Sequence, residues 1–549
     1  MTTYVLPEEY KNVDITERGW FYDWCTKDNL NAALDEMQKA IGKEWATNDK
    51  TIRNNYSRDQ STVKKVIPHI VALPANTEEV AGVVKIANDH GIPIVTGACR
   101  INQAGECIPR RGGLLIDMVR MDQILEIDEE GMTATVQPFV KWQDLQIEGE
   151  KFGYNEGRAL YGCKPEAPAS ASVMGNTLGY GLSFHNNWYG GGFNRVVSMK
   201  CVLSDGSVVT LGSESIPNAG KIGGAQGPGM MLAQMHCMMR ARLGICTELT
   251  VEVFPWAKYR RYYMFLTTEK NFFGQIDWWY KVLRTDLMSM LIADAEPASC
   301  LSQILTPSFE KAEDFMKLME QFNFYPSCVW MGIVSADTQK ELDAKCRMIE
   351  KVSKETAGAP IMIDSTFLEN IEKDTLDEYV GRVGGIAQSM RKTRNTINYM
   401  RQRETEWYSS AFIQISNAPR YYETLLTAGR QNLGERDPWE ADKNKSHFYD
   451  EDTEFYMCAY YGGRMIIYER DYCQANSNPY EFYKSRGFVE QASYGQYKKG
   501  MSGGWRYSKR GSVWEKIENK IKSVFDPADI LNPEYDGFVE DMVYGGKAY

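Results

Sequence analysis

Leu73-Pro-Ala-Asn-Thr-Glu-Glu-Val80, continued by Gly91-Ile-Pro-Ile-Val-Thr-Gly-Ala98, decides the fold. Ile67–Leu73 reads as a strand. Pro74 onward opens a helix in which Thr77 is the expected cap and acids fill the first turn. Val80, Val83, Val84 and Ile86 give it an apolar stripe, and Gly91 ends it. Ile92–Val95 is the next strand, and the loop Thr96–Gly113 leads to another, Leu114–Met118. Beyond this unit, Ile124–Asp128 and Thr133–Pro138 form an expected hairpin around Glu129-Glu-Gly-Met. Lys200–Leu203 and Val208–Leu211 form another across the turn sequence Ser204-Asp-Gly-Ser. Upstream, Asn29–Ile41 reads as a helix with Leu30, Leu34, Met37 and Ile41 on one face.

The least regular stretch is Gly157–Asn194, crowded with Gly, Ala, Ser and Asn. Small residues at this density let a backbone approach another segment or a flat ligand closely. From Trp256 the texture changes. Amphipathic helices (Phe272–Arg284, Thr338–Thr356, Tyr421–Gln431) alternate with strand-like runs at Arg261–Leu266, Cys328–Val334, Ala411–Ser416 and Arg464–Tyr468. This reads as a separate α+β domain, with Gly434–Asp452 as an exposed connector. The tail Ser512–Asn532 is an expected helix with Val513, Ile517, Ile521 and Phe525 facing inward.

Composition bounds the function. The 549 residues imply two or three domains at roughly 100–200 residues each. A hydrophobic share of 43% and a charged share of 25% are those of a globular protein. The net charge of −11, with no dense basic patch, argues against nucleic acid or an anionic membrane as partner. No apolar run of about 18 residues suggests a membrane span. The first residues lack the basic and apolar regions of an export signal, so a cytoplasmic location is expected. The 12 cysteines are scattered singly, as suits free thiols in a reducing compartment, and the five histidines show no zinc spacing. Walker, GxSxG and GxGxxG motifs are absent.

Eight segments in one order carry a resemblance: Leu73–Val80, Gly91–Ala98, Gly112-Gly-Leu-Leu-Ile-Asp-Met, Ala134-Thr-Val-Gln-Pro, the small-residue stretch Ala169–Gly181, Val202-Leu-Ser-Asp-Gly-Ser, Arg242-Leu-Gly-Ile-Cys-Thr-Glu, and Phe525-Asp-Pro-Ala-Asp-Ile-Leu-Asn-Pro. In these the chain resembles the vanillyl-alcohol oxidase / p-cresol methylhydroxylase flavoproteins over nearly its whole length. The resemblance implies an α+β fold: a PCMH-type FAD-binding domain in two parts, 1–255 and 494–549, with an inserted α+β cap, 256–493, that holds the substrate.

The resemblance also implies site residues. The flavin pyrophosphate would lie on backbone amides of the first loop, here Thr96, Gly97, Ala98, Cys99, Arg100, Ile101 and Asn102. Arg100 would add a charge there or serve as a surface arginine in a turn. The second flavin wall would hold Pro165, Ser172, Gly175 and Asn176, and the Ile245 backbone would meet the pyrimidine edge. The position that links flavin covalently in some members aligns with Ala411, or with Ser410 one residue away, so non-covalent FAD is expected. Cys99, Cys107 and Cys163 near the flavin loops are alternative links or ordinary small residues. On the substrate side, Tyr497 and Lys498 match a phenol-binding Tyr-Arg pair, with lysine in place of arginine. Ala104 stands where a second tyrosine would be. Glu166 is the candidate base near flavin N5 or an exposed loop carboxylate. His185 is a general base or a hydrogen-bonded spacer. Arg464 and Arg506 would bind an anion or form structural ion pairs.

The expected activity is FAD-dependent dehydrogenation of a small aromatic or phenolic substrate by hydride transfer to flavin N5. A 2-hydroxy-acid dehydrogenase is the alternative, and a flavin-free binding protein of the same fold is a third reading. The electron acceptor, a redox partner protein and homo-oligomerisation are left open by the sequence.

Overall fold

The computed structural model describes residues 23–57, 66–100, 106–109, 111–151, 159–162, 170–179, 192–221, 231–237, 239–257, 259–267, 278, 281–282, 288–293, 328–356, 361–364, 405–414, 453–460, 464–473 and 513–533. Among these, the strands form three sheets. The first holds β1 (Ala46–Thr47), β2 (Ile70–Ala72), β3 (Ile94–Gly97) and β4 (Leu114–Asp117) in the order β1-β2-β4-β3, with β2, β4 and β3 parallel. Helices α1 (Lys27–Ile41), α2 (Lys50–Asn55) and α3 (Thr77–Asp89) accompany it.

The predicted stripes of α1 and α3 form one core. Leu34, Met37, Ile41, Val80, Val83 and Val84 pack with Ile70, Ile94, Leu114 and Ile116, all buried. Fully burying each such side chain stabilises by about 1.5–3 kcal/mol relative to exposure. Asn76, not the expected Thr77, caps α3 by accepting from Glu79 N at 2.8 Å. Thr77 is instead the first helical residue, and its hydroxyl donates to Thr247 Oγ1 at 2.9 Å. The two residues are both good caps in isolation, and the buried partner across the domain decides between them.

Gly113 explains the Gly-Gly before β4. Its φ is +83°, and a Cβ there would sit 2.3 Å from Pro93 O. This close approach lets Leu114 N donate to Pro93 O at 2.8 Å and start the parallel ladder. Gly113 N donates to His69 Nδ1 at 2.8 Å. Burial, helped by Arg53, pulls His69 down to about 4, which keeps that nitrogen an acceptor at neutral pH.

The second sheet contains both expected hairpins. Its order is β5-β6-β10-β8-β9, with β5 (Ile124–Asp128), β6 (Thr133–Val136), β8 (Val196–Val202), β9 (Val208–Gly212) and β10 (Ile245–Trp256). β7 (Ala159–Gly162) also pairs with β10. Helices α4 (Trp142–Lys151), α5 (Val173–Gly179) and α6 (Leu232–His236) lie between these strands in sequence. The stretch read as least regular therefore contains a strand and a helix.

The third sheet is built from residues 259–473. It runs β14-β11-β13-β12-β16-β17-β15, all neighbours antiparallel, from β11 (Tyr259–Thr267), β12 (Met288–Ala293), β13 (Cys328–Ala336), β14 (Ile361–Asp364), β15 (Thr405–Gln414), β16 (Thr453–Tyr460) and β17 (Arg464–Cys473). Helix α7 (Gln339–Glu355) is capped by Thr338, which accepts from Glu341 N at 3.2 Å. The expected helix Tyr421–Gln431 and the connector Gly434–Asp452 lie outside the described residues, as does most of Phe272–Arg284.

The chain then returns to the first sheet. After α8 (Val513–Phe525), Leu531 bridges Ile94 in parallel, with Ile94 N donating to Ile530 O and Asn532 N donating to Ile94 O, both at 2.7 Å. Helix α8 corrects the expected inward face: Ile517 is 47% exposed, while Glu518 and Lys522 are buried. Glu518 Oε1 accepts from Arg242 Nη1 at 3.0 Å. Lys522 Nζ donates to Asp526 Oδ2 and Asp529 Oδ1, each at 2.6 Å, and Asp526 also accepts from the backbone N–H of Ile530 and Leu531. The helix thus docks through charge, which an apolar-periodicity reading does not detect. Removing one partner of a buried pair typically costs about 3–5 kcal/mol because the other charge stays buried. Arg242→Met is therefore expected to destabilise the protein by about that amount in urea unfolding. Arg242→Met combined with Glu518→Leu is expected to restore most of the loss.

Candidate flavin site

The first loop begins where β3 ends. Thr96 and Gly97 are its last two residues, paired with Ile116 and Asp117 of β4. Carboxyl ends of parallel strands are where open α/β sheets bind ligands. The loop turns sharply at Arg100, whose φ is 52°. A Cβ on Gly97 would lie 2.7 Å from Arg100 Cγ, so the arginine packs back over the strand end. Its Nε lies 3.6 Å from Asp117 Oδ2, and its guanidinium stacks 4.1 Å from the centre of the Tyr56 ring. Burial and the Asp117 charge push Tyr56 up to about 12; burial also raises the Asp117 carboxyl, opposed by Arg100. Arg100 is a tethered cation at the loop, not a loose surface arginine.

Ala98 and Cys99 follow. Cys99 Sγ donates to Phe139 O at 3.6 Å, and burial pushes its thiol up to about 12. A thiol so protonated is a poor nucleophile. Ile101 and Asn102 lie outside the described residues.

The facing wall is the turn into α5. Ser172 is buried, donates its hydroxyl to Pro138 O at 2.5 Å and accepts from Gly175 N at 2.9 Å. Asn176 Oδ1 accepts from Trp142 Nε1 at 3.2 Å. These two side chains fix the wall rather than project from it. Gly175 is exposed. A Cβ there would sit 3.9 Å from Ala98 Cβ and 3.4 Å from Ser172 Oγ, so the two segments meet through small residues. Small residues at such a junction leave backbone N–H groups accessible to a cofactor that lies along it.

Ile245 opens β10 opposite Val202 and shares the first core with Ile94 and Ile116. The Gly244–Ile245 backbone is thereby fixed to the sheet that carries the first loop. Ionic contacts that sequence reading missed hold this arrangement. Buried Arg240 pairs with Glu106 of the first loop, and its Nη1 lies 3.4 Å from where a Gly179 Cβ would be. Asn532 Nδ2 donates to Arg240 O at 2.8 Å, and Arg111 pairs with Asp529 at 3.3 Å. The one signal was the arginine doublet at 240 and 242, just before Gly244.

Tyr497, Lys498, Glu166, His185 and Pro165 lie outside the described residues, as do Cys163 and Ala104. Ala411 lies in β15 opposite Ile467, and Ser410 lies opposite Tyr468. No metal-binding group occurs among the described residues, and no described helix is long and apolar enough to cross a membrane.

Comparison with known proteins agrees with this geometry. Residues 68–212 match the FAD binding domain family. The glycolate oxidase subunit GlcD of Bacillus subtilis (strain 168) is 28% identical over 221 residues, which are 40% of this chain and 44% of that protein. The chain thus aligns with less than half the length of that relative. Among solved structures, 4-ethylphenol oxidase from Gulosibacter chungangensis superposes with a TM-score of 0.74 at 18% identity, covering 93% of this chain and 97% of that one. p-Cresol methylhydroxylase superposes at 0.70 with 20% identity and the same coverage. Gly175→Val, which adds bulk where α5 meets Ala98, is expected to weaken FAD binding by tenfold or more, ~1.4 kcal/mol, in a titration of the apoprotein. Residues 68–212 match an FAD binding domain, and the chain that carries them shares the fold of p-cresol methylhydroxylase.

Proposed function

We propose that this protein is an FAD-dependent oxidoreductase that dehydrogenates a small organic substrate, aromatic or phenolic in the reading favoured here. The observation that carries the proposal is the match of residues 68–212 to an FAD binding domain, in which the loop after β3 at Ala98 and the α5 turn at Gly175 meet through small residues. When bound, FAD supplies the two-electron acceptor that takes hydride at N5. The protein's part is to hold the cofactor and substrate in register and to place charge.

Tyr497 and Lys498 are assigned to the substrate oxygen on the sequence resemblance. The tyrosine hydroxyl donates a hydrogen bond, and the lysine favours the ionised phenol. The phenolate then pushes electron density toward the carbon that loses hydride. Glu166 and His185 are the proposed proton acceptors. Attachment of FAD is proposed to be non-covalent: alanine stands at the aligned linking position in β15, and the half-buried Cys99 thiol is held protonated.

The likeness to a glycolate oxidase subunit favours a second reading, oxidation of a 2-hydroxy acid whose carboxylate is held by Lys498, Arg464 or Arg506. Anaerobic bleaching of the flavin band against phenols, aryl alcohols and 2-hydroxy acids separates the two. Bleaching by 2-hydroxy acids alone overturns the phenolic reading. Acid precipitation is expected to leave all flavin in the supernatant; fluorescence on the denatured protein band would contradict non-covalent binding. Tyr497→Phe is expected to slow flavin reduction by ~10²–10³-fold, the usual loss of one preorganised donor. An unchanged rate in both Tyr497→Phe and Lys498→Met would remove the phenolate anchor.

A further inference from the structure

Next to the Gly244–Ile245 backbone, the second sheet carries a group of thiols beside an imidazole. Cys201 of β8 and Cys246 of β10 are directly opposite in an antiparallel pair, so their side chains leave the same face of the sheet. The register shifts between Cys246 and Glu248, and such irregularities re-aim side chains locally. Opposed residues of this kind have Cβ atoms about 4.5–5.5 Å apart, close to the ~3.5–4.5 Å that a disulfide requires. Cys246 Sγ donates to the Glu248 carbonyl oxygen at 3.2 Å.

His236, the last residue of α6, completes the group. Its Nδ1 is 4.0 Å from Cys201 Sγ. The ring is 6% exposed, stands edge-on to Phe525 at 5.7 Å between centroids, and crowds Gly244, where a Cβ would meet Cε1 at 3.1 Å. Nε2 is buried and has no hydrogen-bond partner among the described residues. A proton placed on Nδ1 therefore leaves only a lone pair unpaired in the apolar site and points an N–H at the Cys201 sulfur. Its neighbours Cys246 and His236 hold the Cys201 thiol well below its usual range against the opposing effect of burial. Cys237, the next residue, goes the other way: burial pushes it up to about 12, and its Sγ donates to Ala233 O at 3.7 Å.

We propose that Cys201 and Cys246 are a peroxide-reactive dithiol that closes reversibly to a cross-strand disulfide, with His236 as the positioning residue that activates Cys201. The oxidant is hydrogen peroxide. The Cys201 thiolate attacks one peroxide oxygen, the O–O bond breaks, and hydroxide leaves, giving Cys201 sulfenic acid. The Cys246 sulfur then attacks the Cys201 sulfur. The S–O bond breaks, and the departing oxygen takes the Cys246 proton and leaves as water. Two electrons pass from the two sulfurs to peroxide; one thiolate, one thiol and one peroxide become one disulfide, one hydroxide and one water.

The chemistry is independent of the substrate reading, and the test reads thiols alone. The full-length protein is treated with a few equivalents of hydrogen peroxide, blocked with N-ethylmaleimide and digested. Mass spectrometry is expected to find a peptide pair joined through Cys201 and Cys246 that dithiothreitol separates. Cys246→Ser is expected to stop at Cys201 sulfenic acid, captured by dimedone. His236→Asn is expected to slow disulfide formation tenfold or more and to move its pH dependence upward. Circular dichroism confirms that the variants fold, and Cys246→Ala replaces the serine variant if it does not. Cys201 joined to Cys237 instead, no loss of free thiol before irreversible oxidation, or an unchanged rate and pH profile in His236→Asn each overturns the proposal.

Discussion

The architecture depends on one close approach, that of Ala98 to Gly175. Ala98 follows β3 and Gly175 lies in α5, and a Cβ added at Gly175 would already be in van der Waals contact with Ala98 Cβ, at 3.9 Å. Each side is held by polar contacts that leave no freedom to drift. Ser172 ties the α5 wall to Pro138, while Glu106 and Arg111 tie the first loop to Arg240 and Asp529. The cofactor wall is thus made of backbone, and the side chains near it serve mainly to hold that backbone still. This division suits a dinucleotide whose phosphates are bound by fixed N–H dipoles.

Two kinds of interior coexist in the FAD-binding part. The layer between α1, α3 and the parallel sheet is apolar and follows ordinary packing rules. The seam where α8 returns is charged: Arg242 with Glu518, and Lys522 with Asp526 and Asp529. A charged seam contributes little net stability compared with a well-packed apolar one, but it tolerates few alternative partners. The segment that must find its place from far along the chain is the one held this way.

Much of the fold was legible because the deciding residues repeat with the period of their element. The stripe of α3, the hairpin of β5 and β6 and the turn at Ser204 could be read without the structure. The α8 face could not, because Glu518 and Lys522 look like solvent residues until their partners at 242, 526 and 529 are known. Thr77 and Asn76 are indistinguishable as caps until Thr247 is placed. At the site, the loop position and the small residues at 97, 98 and 175 were reached through the family resemblance, with only the small-residue density of 157–194 readable from the residues themselves. Side-chain commitments were not: Ser172, Asn176 and Arg100 turn to local partners that no spacing rule encodes. The residues assigned to substrate rest on resemblance alone.

The bridge between Ile94 and Leu531 has a consequence for biosynthesis. Until Leu531 has left the ribosome, β3 is an edge strand with its N–H and C=O groups bare on one side, in a part of the protein that is otherwise ready to fold. The whole cap is translated during that interval. A nascent chain in this state offers a pairing surface to any extended peptide nearby, so the protein has reason to depend on a chaperone that shields strand edges during synthesis. Truncation just before Leu531 would leave every apolar core residue of α1 and α3 in place and still produce a chain prone to aggregate.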